Sequence, residues 1–214
     1  MNFLILAANG QIAQIVEQRI LNQPDFKNIK LTLGLRHADR LAKLADSARV
    51  LEVDLLKQDE VDRAINGQDL VLVAVVDHSQ NNTITKNVIT AMKNHHVSRV
   101  LFTNILGIYN EVSGEFGRWN HEYTLSGLAT AINSDRLLAD SGLQYTTLRL
   151  PCLNDRNEIK YTITTRHQPY VGVSGARQSI ADAILKIVLK PELYVNDSIG
   201  IADPATQGQE RPVY

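Results

Sequence analysis

The feature that most constrains the fold of this chain is a set of short runs that are apolar at consecutive positions. In "LVLVAVV", residues 70–76, every side chain is apolar, whereas a strand with one face in water would alternate apolar and polar residues. Such a run predicts a strand that other parts of the protein cover on both faces. Similar strand-like runs fall at residues 2–6, 30–35, 49–53, 99–103, 145–150 and 198–202.

Segments with helical periodicity separate these runs. They lie at residues 12–21, 37–44, 58–65, 83–94, 128–141 and 179–190. Regular alternation of strand and helix is typical of an α/β protein with parallel strands and helices on both faces of the sheet. The sequence therefore predicts a Rossmann-type, doubly wound and mostly parallel sheet, whose ligands bind beyond the carboxyl ends of the strands.

The least regular stretches lie at about residues 107–127 and 154–175, and each follows a strand-like run. No repeat or linker divides the chain, so we expect residues 1–214 to form one domain. Long loops in compact domains usually serve a function, so these two are predicted to line a substrate pocket. The alternative is that they are ordinary surface loops.

Charge and cysteine content limit the classes of partner. The formal net charge is −1, which gives no electrostatic reason to expect nucleic acid or an anionic membrane as a partner. The single cysteine, Cys152, excludes an internal disulfide, and the apolar stretch at residues 3–8 is too short for a secretory signal. We expect a cytoplasmic protein with a small-molecule substrate; the sequence neither supports nor excludes a homodimer.

The turn after the first strand, "AANGQIA", can be compared with the pattern G-x-x-G-x-x-G of dinucleotide-binding loops. Gly10 stands at the second glycine position, where the backbone approaches a pyrophosphate. Ala13 at the third position still allows close packing. Ala7 departs from the pattern and is expected to need ordinary backbone angles, with Asn9 able to take a left-handed conformation. The alternative is a plain strand-turn-helix.

Two residues after the next strands point to the cofactor. Arg36 ends the second strand, where an acidic residue would bind the ribose 2′-hydroxyl of NAD and an arginine suits the 2′-phosphate of NADP. Asp54 and Leu55 follow the third strand and are expected near an adenine ring. The alternatives are a solvated arginine and a helix-capping aspartate. Together these residues favour NADP(H), with NAD(H) as a second choice.

Several segments resemble one known family, the atypical short-chain dehydrogenase/reductases of the NmrA-like, NAD(P)H-binding type, which includes flavin-reductase-like members. "LGLRHADRL" is similar to the family's strand-arginine-helix entry, and "VLEVDLLKQDEVDRAINGQDLVLVAV" to its third and fourth strands. "VSRVLFTNILGIY" and "LLADSGLQYTTLRLPCL" resemble its fifth strand and the approach to its sixth. The resemblance extends along nearly the whole chain.

The resemblance implies a set of cofactor contacts. The phosphates would lie at Asn9, Gly10, Gln11 and Ile12, the 2′-phosphate at Arg36, the adenine at Asp54 and Leu55, the adenine and ribose at Ala74 and Val75, and the nicotinamide at Thr103, Asn104 and Ile105.

The usual catalytic pair of short-chain dehydrogenases, Tyr-x-x-x-Lys, is absent from the sequence. No tyrosine has a lysine four positions later, and no lysine occurs between Lys93 and Lys160. The remaining catalytic candidates are Asn104, as a hydrogen-bond donor to substrate or nicotinamide, and His121 and Tyr123, as proton donors; the alternative for the last two is loop packing or a solvated surface. We predict no metal site.

These observations leave three possibilities: two functions that use a bound dinucleotide, and a protein that binds none. The first is an NADP(H)-dependent oxidoreductase that transfers hydride between nicotinamide and a small acceptor such as a flavin, a quinone or a carbonyl compound. The second, implied by the resemblance to NmrA-like proteins, is a non-catalytic NAD(P)(H) sensor. The third is that Ala7 weakens the pocket until no dinucleotide binds.

Overall fold

A computed structural model describes residues 1–214 and shows a central sheet of eight strands. In chain order its strands are β1 (Asn2–Leu6), β2 (Lys30–Leu35), β3 (Arg49–Glu52), β4 (Leu70–Val73), β5 (Arg99–Ile105), β6 (Gln144–Leu150), β8 (Thr162–Thr164) and β10 (Asp197–Ala202). Across the sheet the order is β3-β2-β1-β4-β5-β6-β10-β8. All neighbours are parallel except β8, which pairs antiparallel with β10.

The inner strands of the sheet are buried on both faces, as the consecutive apolar runs predict, whereas the edge strand β3 has no buried residue. All four residues of β4 are buried, and Phe3 to Leu6 of β1 are 0% exposed. A separate parallel pair joins β7 (Cys152–Asn154) to β9 (Ser174–Ala176) beside the main sheet. The doubly wound, mostly parallel sheet predicted from the sequence is confirmed.

Five α-helices cover the sheet. They are α1 (Gln11–Asn22), α2 (Gln58–Ile65), α3 (Thr83–Asn94), α4 (Gly114–Ala139) and α5 (Arg177–Leu189). On one face α1 packs with α5, and their buried side chains join Phe3 and Ile5 in one apolar cluster. On the other face α2, α3 and α4 pack in series and share a second cluster with Leu4 and Leu6. None of the helices is long and apolar enough to cross a bilayer.

The segment at 107–127, predicted as a loop, is largely helical, because α4 begins at Gly114 and continues to Ala139. The helix predicted at 128–141 is therefore only its second half. The first half of α4 resembles a loop in sequence because it contains Gly114, Gly117 and Gly127. Gly117 and Gly127 allow neighbouring groups to approach the helix backbone closely. A Cβ on Gly117 would lie 2.2 Å from the Val112 carbonyl oxygen, and one on Gly127 would lie 2.6 Å from the His78 ring.

The segment at 37–44, predicted as an α-helix, forms a 3-10 turn at Ala38–Leu44 that is interrupted at Leu41. Three shorter 3-10 turns lie at Pro24–Phe26, Gln80–Asn82 and Pro204–Thr206. In the predicted strand at 70–76, regular pairing stops at Val73, which leaves the next three residues free to line a cavity beyond the sheet.

Candidate dinucleotide site

Two adjoining cavities open beyond the carboxyl ends of the parallel strands, around the point between β1 and β4 where the strand order reverses. The larger cavity, of about 450 Å³, is lined among others by Asn9, Gly10, Arg36, His37, Arg40, Asp54, Leu55, Ala74, Val75 and Ser79. The smaller, of about 200 Å³, is lined by Gly10, Gln11, Ile12, Ala74, Val75, Val76, Thr103, Leu150, Leu153, Arg177 and Ile184. They share Gly10, Ala74 and Val75, so a long ligand can occupy both.

The turn after β1 has a conformation different from the expected one. Ala7 adopts φ +60°, in the left-handed region, while Asn9 does not have a positive φ. The Gly10 N–H donates to the Ala7 carbonyl oxygen at 3.1 Å and closes the turn. The expectation that Ala7 keeps ordinary backbone angles is therefore wrong, and its methyl group costs roughly 1–2 kcal/mol in this conformation.

Gly10 has an ordinary backbone conformation, with φ −69° and ψ 150°. A Cβ there would lie 3.5 Å from the Ala7 carbonyl oxygen and 3.6 Å from that of Ala74, which is normal van der Waals contact. Nothing within the protein thus requires glycine at this position. Because Gly10 borders both cavities, its missing side chain leaves room for a ligand to approach the backbone.

The first turn of α1 offers backbone donors to that ligand. Gly10 is the N-cap and provides no side-chain hydrogen bond to the helix. The first hydrogen bond of the helix joins the Gln14 N–H to the Gly10 carbonyl oxygen at 2.9 Å, so the N–H groups of Gln11 and Ile12 have no partner in the protein. Free N–H groups and the positive end of the helix dipole suit a pyrophosphate.

A group of basic side chains borders the far end of the larger cavity. Arg36, His37 and Arg40 are exposed and line it together. Neither arginine takes part in a hydrogen bond or an ion pair through its side chain, so both guanidinium groups are free to bind an anion. Arg36 was predicted from the sequence and His37 and Arg40 were not, although Arg40 stands four residues after Arg36 in a segment with helical periodicity.

Asp54 and Leu55 line the larger cavity and also shape the turn after β3. One Asp54 carboxylate oxygen accepts the Leu56 N–H at 3.0 Å, and the Asp54 N–H donates to Glu60 at 2.7 Å. The Leu55 carbonyl oxygen accepts the Asn87 amide at 2.9 Å. The second Asp54 carboxylate oxygen has no partner, so the residue can both cap the turn and accept a ligand's hydrogen bond.

The two polar residues at the end of β5 differ in what they can contact. Thr103 lines the smaller cavity, is 8% exposed, and its hydroxyl has no hydrogen-bond partner in the protein. Asn104 lines neither cavity. Its amide donates to the Ala131 carbonyl oxygen at 3.0 Å and accepts the Ile105 N–H at 2.8 Å. This placement corrects the expectation that the Asn104 side chain is available to a cofactor or substrate.

The other two candidates for proton donation also lie away from the two cavities. Tyr123 is 72% exposed on α4 and stacks on Trp119 with ring centroids 5.0 Å apart. His121, also exposed on α4, borders only a small separate cavity of about 10 Å³. A tyrosine–lysine pair exists in space, since the Lys186 ammonium donates to the Tyr161 hydroxyl at 2.8 Å, but neither residue lines a cavity of the site.

Comparison with known proteins agrees with this geometry. A family profile described as NAD(P)H-binding matches residues 7–191. No protein of curated function matches the chain in sequence. A Rossmann-fold NAD(P)-binding family protein from Shigella flexneri is 29% identical, with a TM-score of 0.78 over 100% of this chain and 98% of its own.

Two more distant structures share the fold. A short-chain dehydrogenase/reductase from Veillonella parvula, solved in complex with NADP, is 21% identical with a TM-score of 0.90, over 100% of this chain and 99% of its own. ChuY, an anaerobillin reductase from Escherichia coli O157:H7, is 19% identical with a TM-score of 0.82, over 98% of this chain and 100% of its own.

The profile match spans most of the chain, from the residue that begins the turn after β1 to the end of α5. It confirms the resemblance to the NAD(P)H-binding family that the separate motifs indicated, and it includes the fingerprint turn in spite of its alanines. The chain belongs to the NAD(P)H-binding family.

Proposed function

We propose that this protein is an NADP(H)-dependent oxidoreductase that transfers hydride between the nicotinamide and a small acceptor. The observation that carries the proposal is the pair of cavities that meet at Gly10, with unpaired arginines at one end and the unpartnered Thr103 hydroxyl at the other. The Veillonella structure in complex with NADP supports the choice of cofactor, and the reductase ChuY supports the class of reaction.

The residues present fit an NADP molecule in extended form. The free N–H groups of Gln11 and Ile12 would hold the pyrophosphate, and Arg36 with Arg40 the 2′-phosphate. Asp54 and Leu55 would flank the adenine, and Thr103 the nicotinamide. Each of these groups is unpaired or faces a cavity, so binding requires no existing hydrogen bond of the protein to break.

When bound, the cofactor supplies the hydride; the protein supplies position and shelter from water. The apolar walls formed by Leu150, Leu153 and Ile184 exclude water on the nicotinamide side. Arg177 is the one charged residue lining that cavity, and no tyrosine, histidine or carboxylate does so. The site therefore favours acceptors whose reduction needs little proton transfer from the protein, such as flavins and quinones, with the Thr103 hydroxyl as a hydrogen-bond donor.

A non-catalytic NAD(P)(H) sensor is the second candidate, and the absence of a general acid at the nicotinamide side favours it. The two functions share the dinucleotide site and differ in turnover. Steady oxidation of NADPH by any member of a panel of flavins, quinones and aldehydes would establish the enzyme. Tight binding of NADPH without oxidation by any of them would establish the sensor.

The cofactor itself is tested by calorimetric titration with NADPH and NADH. We expect NADPH to bind more tightly, and Arg36→Ala to weaken NADPH binding by about tenfold through loss of charge-assisted hydrogen bonds, with little effect on NADH. The double variant with Arg40→Ala should abolish the preference. Arg49→Ala, which removes an exposed arginine outside both cavities, is the control.

An unchanged NADPH-to-NADH ratio in the double variant would refute the role of the arginines. Failure of both nucleotides to bind at millimolar concentration would remove the enzyme and the sensor together.

A further inference from the structure

A third cavity continues from the nicotinamide side of the candidate site toward solvent. It is open, measures about 560 Å³, and is lined by Leu153, Asn154, Asp155, Arg156, Arg177 and Tyr214. Leu153 and Arg177 also line the smaller cavity of the dinucleotide site. The two spaces therefore adjoin at these residues, and an acceptor placed against the nicotinamide would extend past the Arg177 side chain.

The Arg177 guanidinium has hydrogen-bond donors that no group of the protein accepts. Its side chain is 19% exposed, and its one hydrogen bond joins Nη1 to an Asp155 carboxylate oxygen at 2.8 Å. Nη2 and Nε have no acceptor in the protein, and neither is fully shielded from solvent. Asp155 is itself 77% exposed, so the ion pair is held weakly and a second anion can share the guanidinium.

The other arginine of this cavity is already engaged. Arg156 Nη2 donates to the main-chain oxygen of Tyr214 at 3.0 Å, and its Nη1 lies 3.9 Å from a Glu158 carboxylate oxygen. Arg177 is thus the available cation between the nicotinamide side and the outer cavity. Guanidinium groups bind carboxylates and phosphates through paired charge-assisted hydrogen bonds, which require two free N–H groups along one edge of the planar group, such as those of Nε and Nη2.

We propose that Arg177 binds an oxyanion, a carboxylate or a phosphate ester, carried by the hydride acceptor, and so selects anionic planar acceptors over neutral ones. This inference rests on the proposed function for the position of the acceptor. Asp155 competes for the same guanidinium, so the two residues should affect acceptor affinity in opposite directions.

The test measures binding to the protein loaded with NADP⁺, with no turnover. FMN and riboflavin share a ring and differ by a phosphate; naphthalene-2-carboxylate and its carboxamide differ by the charge. In the unaltered protein we expect the anion of at least one pair to bind about tenfold more tightly than its neutral counterpart. A preference confined to the flavins identifies a phosphate site, and one confined to the naphthalenes identifies a carboxylate site.

Three variants complete the test. Arg177→Met should abolish the preference for the anion, and Asp155→Asn should increase it by releasing a competing carboxylate. Arg63→Met is the matched control, since Arg63 is an exposed arginine of α2 whose partner is the equally exposed Asp59 at 3.2 Å. The affinity for NADP⁺ should stay within about twofold in all three.

Two results would overturn the proposal: no preference for the anion in either pair, or a preference that survives Arg177→Met. A loss of NADP⁺ affinity in Arg177→Met as large as the loss for the anion would instead assign Arg177 to the cofactor phosphates. Oxidation of NADPH by the same flavins is measured separately. If it is absent while the anion preference depends on Arg177, the hydride-transfer function fails and the oxyanion site remains.

Discussion

At the scale of single residues, the turn after β1 shows how the fingerprint can lose a glycine and keep its shape. Ala7 holds the left-handed conformation that glycine would adopt freely, because β1 on one side and α1 on the other fix the ends of the turn. Gly10 is retained although its own backbone angles suit any residue. The first glycine position of the fingerprint, occupied by Ala7, is thus determined by backbone conformation. The second, Gly10, is determined by the cavity space that a side chain would fill.

Ala7→Gly should stabilise the protein by up to about 1 kcal/mol, because relief of the left-handed strain at φ +60° outweighs the opposing gain in entropy of the unfolded chain. Urea unfolding of the ligand-free protein measures the change. The control is Ala8→Gly, which removes a buried methyl group at a residue with negative φ and should destabilise the protein. A loss of stability in Ala7→Gly would show that the methyl group contributes more packing than strain.

Gly10→Ala and Gly10→Val should fold and yet bind NADPH progressively less well. The added Cβ meets only ordinary contacts within the protein, but it enters the space that both cavities share. We expect roughly a tenfold loss of affinity for the valine variant, about 1.4 kcal/mol, with a much smaller change in the urea midpoint. Unchanged NADPH affinity in Gly10→Val would exclude a close approach of the cofactor to this backbone.

At the scale of secondary structure, α4 shows where sequence patterns were misleading. The parallel strands were predictable because a short run of consecutive apolar residues indicates a strand that is buried on both faces of a sheet. The first half of α4 was not, because Gly114, Gly117 and Gly127 match the composition of a loop. Gly117 and Gly127 are explained by their contacts with Val112 and His78, which are visible only in three dimensions, and Gly114 by its positive φ of 72° at the start of the helix.

Gly117→Ala should destabilise the protein by about 1–3 kcal/mol, because the new Cβ would lie 2.2 Å from a backbone oxygen that cannot rotate away. Gly127→Ala is the matched comparison on the same helix. There the obstacle is the far end of the exposed His78 ring, which can move, and the gain in helix propensity is about 1 kcal/mol. Equal thermal shifts in the two variants would contradict this distinction.

The candidate site was also predictable only in part. Residues at the ends of strands, such as Arg36, Asp54 and Thr103, follow from strand order alone, since parallel strands bring their carboxyl ends to one edge. Arg40 and Arg177 could not be placed in this way: one lies on an irregular turn, and the other begins a helix far along the chain. Asn104 was misplaced because a one-residue step along a strand reverses the side chain's direction.

At the scale of the whole molecule, a buried carboxyl group on α1 links stability to pH. Glu17 is 4% exposed and one of its oxygens has no partner. Burial raises its pKa from 4.5 to about 7, with Lys43 acting in the opposite direction. Between these two values the folded protein binds a proton that the unfolded chain has lost, so the free energy of unfolding falls as the pH rises through this window.

Glu17→Gln should therefore raise the free energy of unfolding at pH 8, by at most about 3 kcal/mol, and change it little at pH 5. Urea unfolding at the two pH values gives the comparison. Glu192→Gln, at an exposed position, should have the same small effect at both. If Glu17→Gln had an equal effect at pH 5 and pH 8, the carboxyl group would titrate normally in the folded state.

The two borders of the main sheet have a consequence for crowded solutions. β3 at one border has four residues, and β8 at the other has three and runs against its neighbour. A second molecule that joined either border by strand pairing would gain a ladder of only three or four residues, too short to hold two chains together in water. Growth of the sheet from one molecule into the next is therefore blocked at both ends, and the folded protein should tolerate high concentration without forming fibrils.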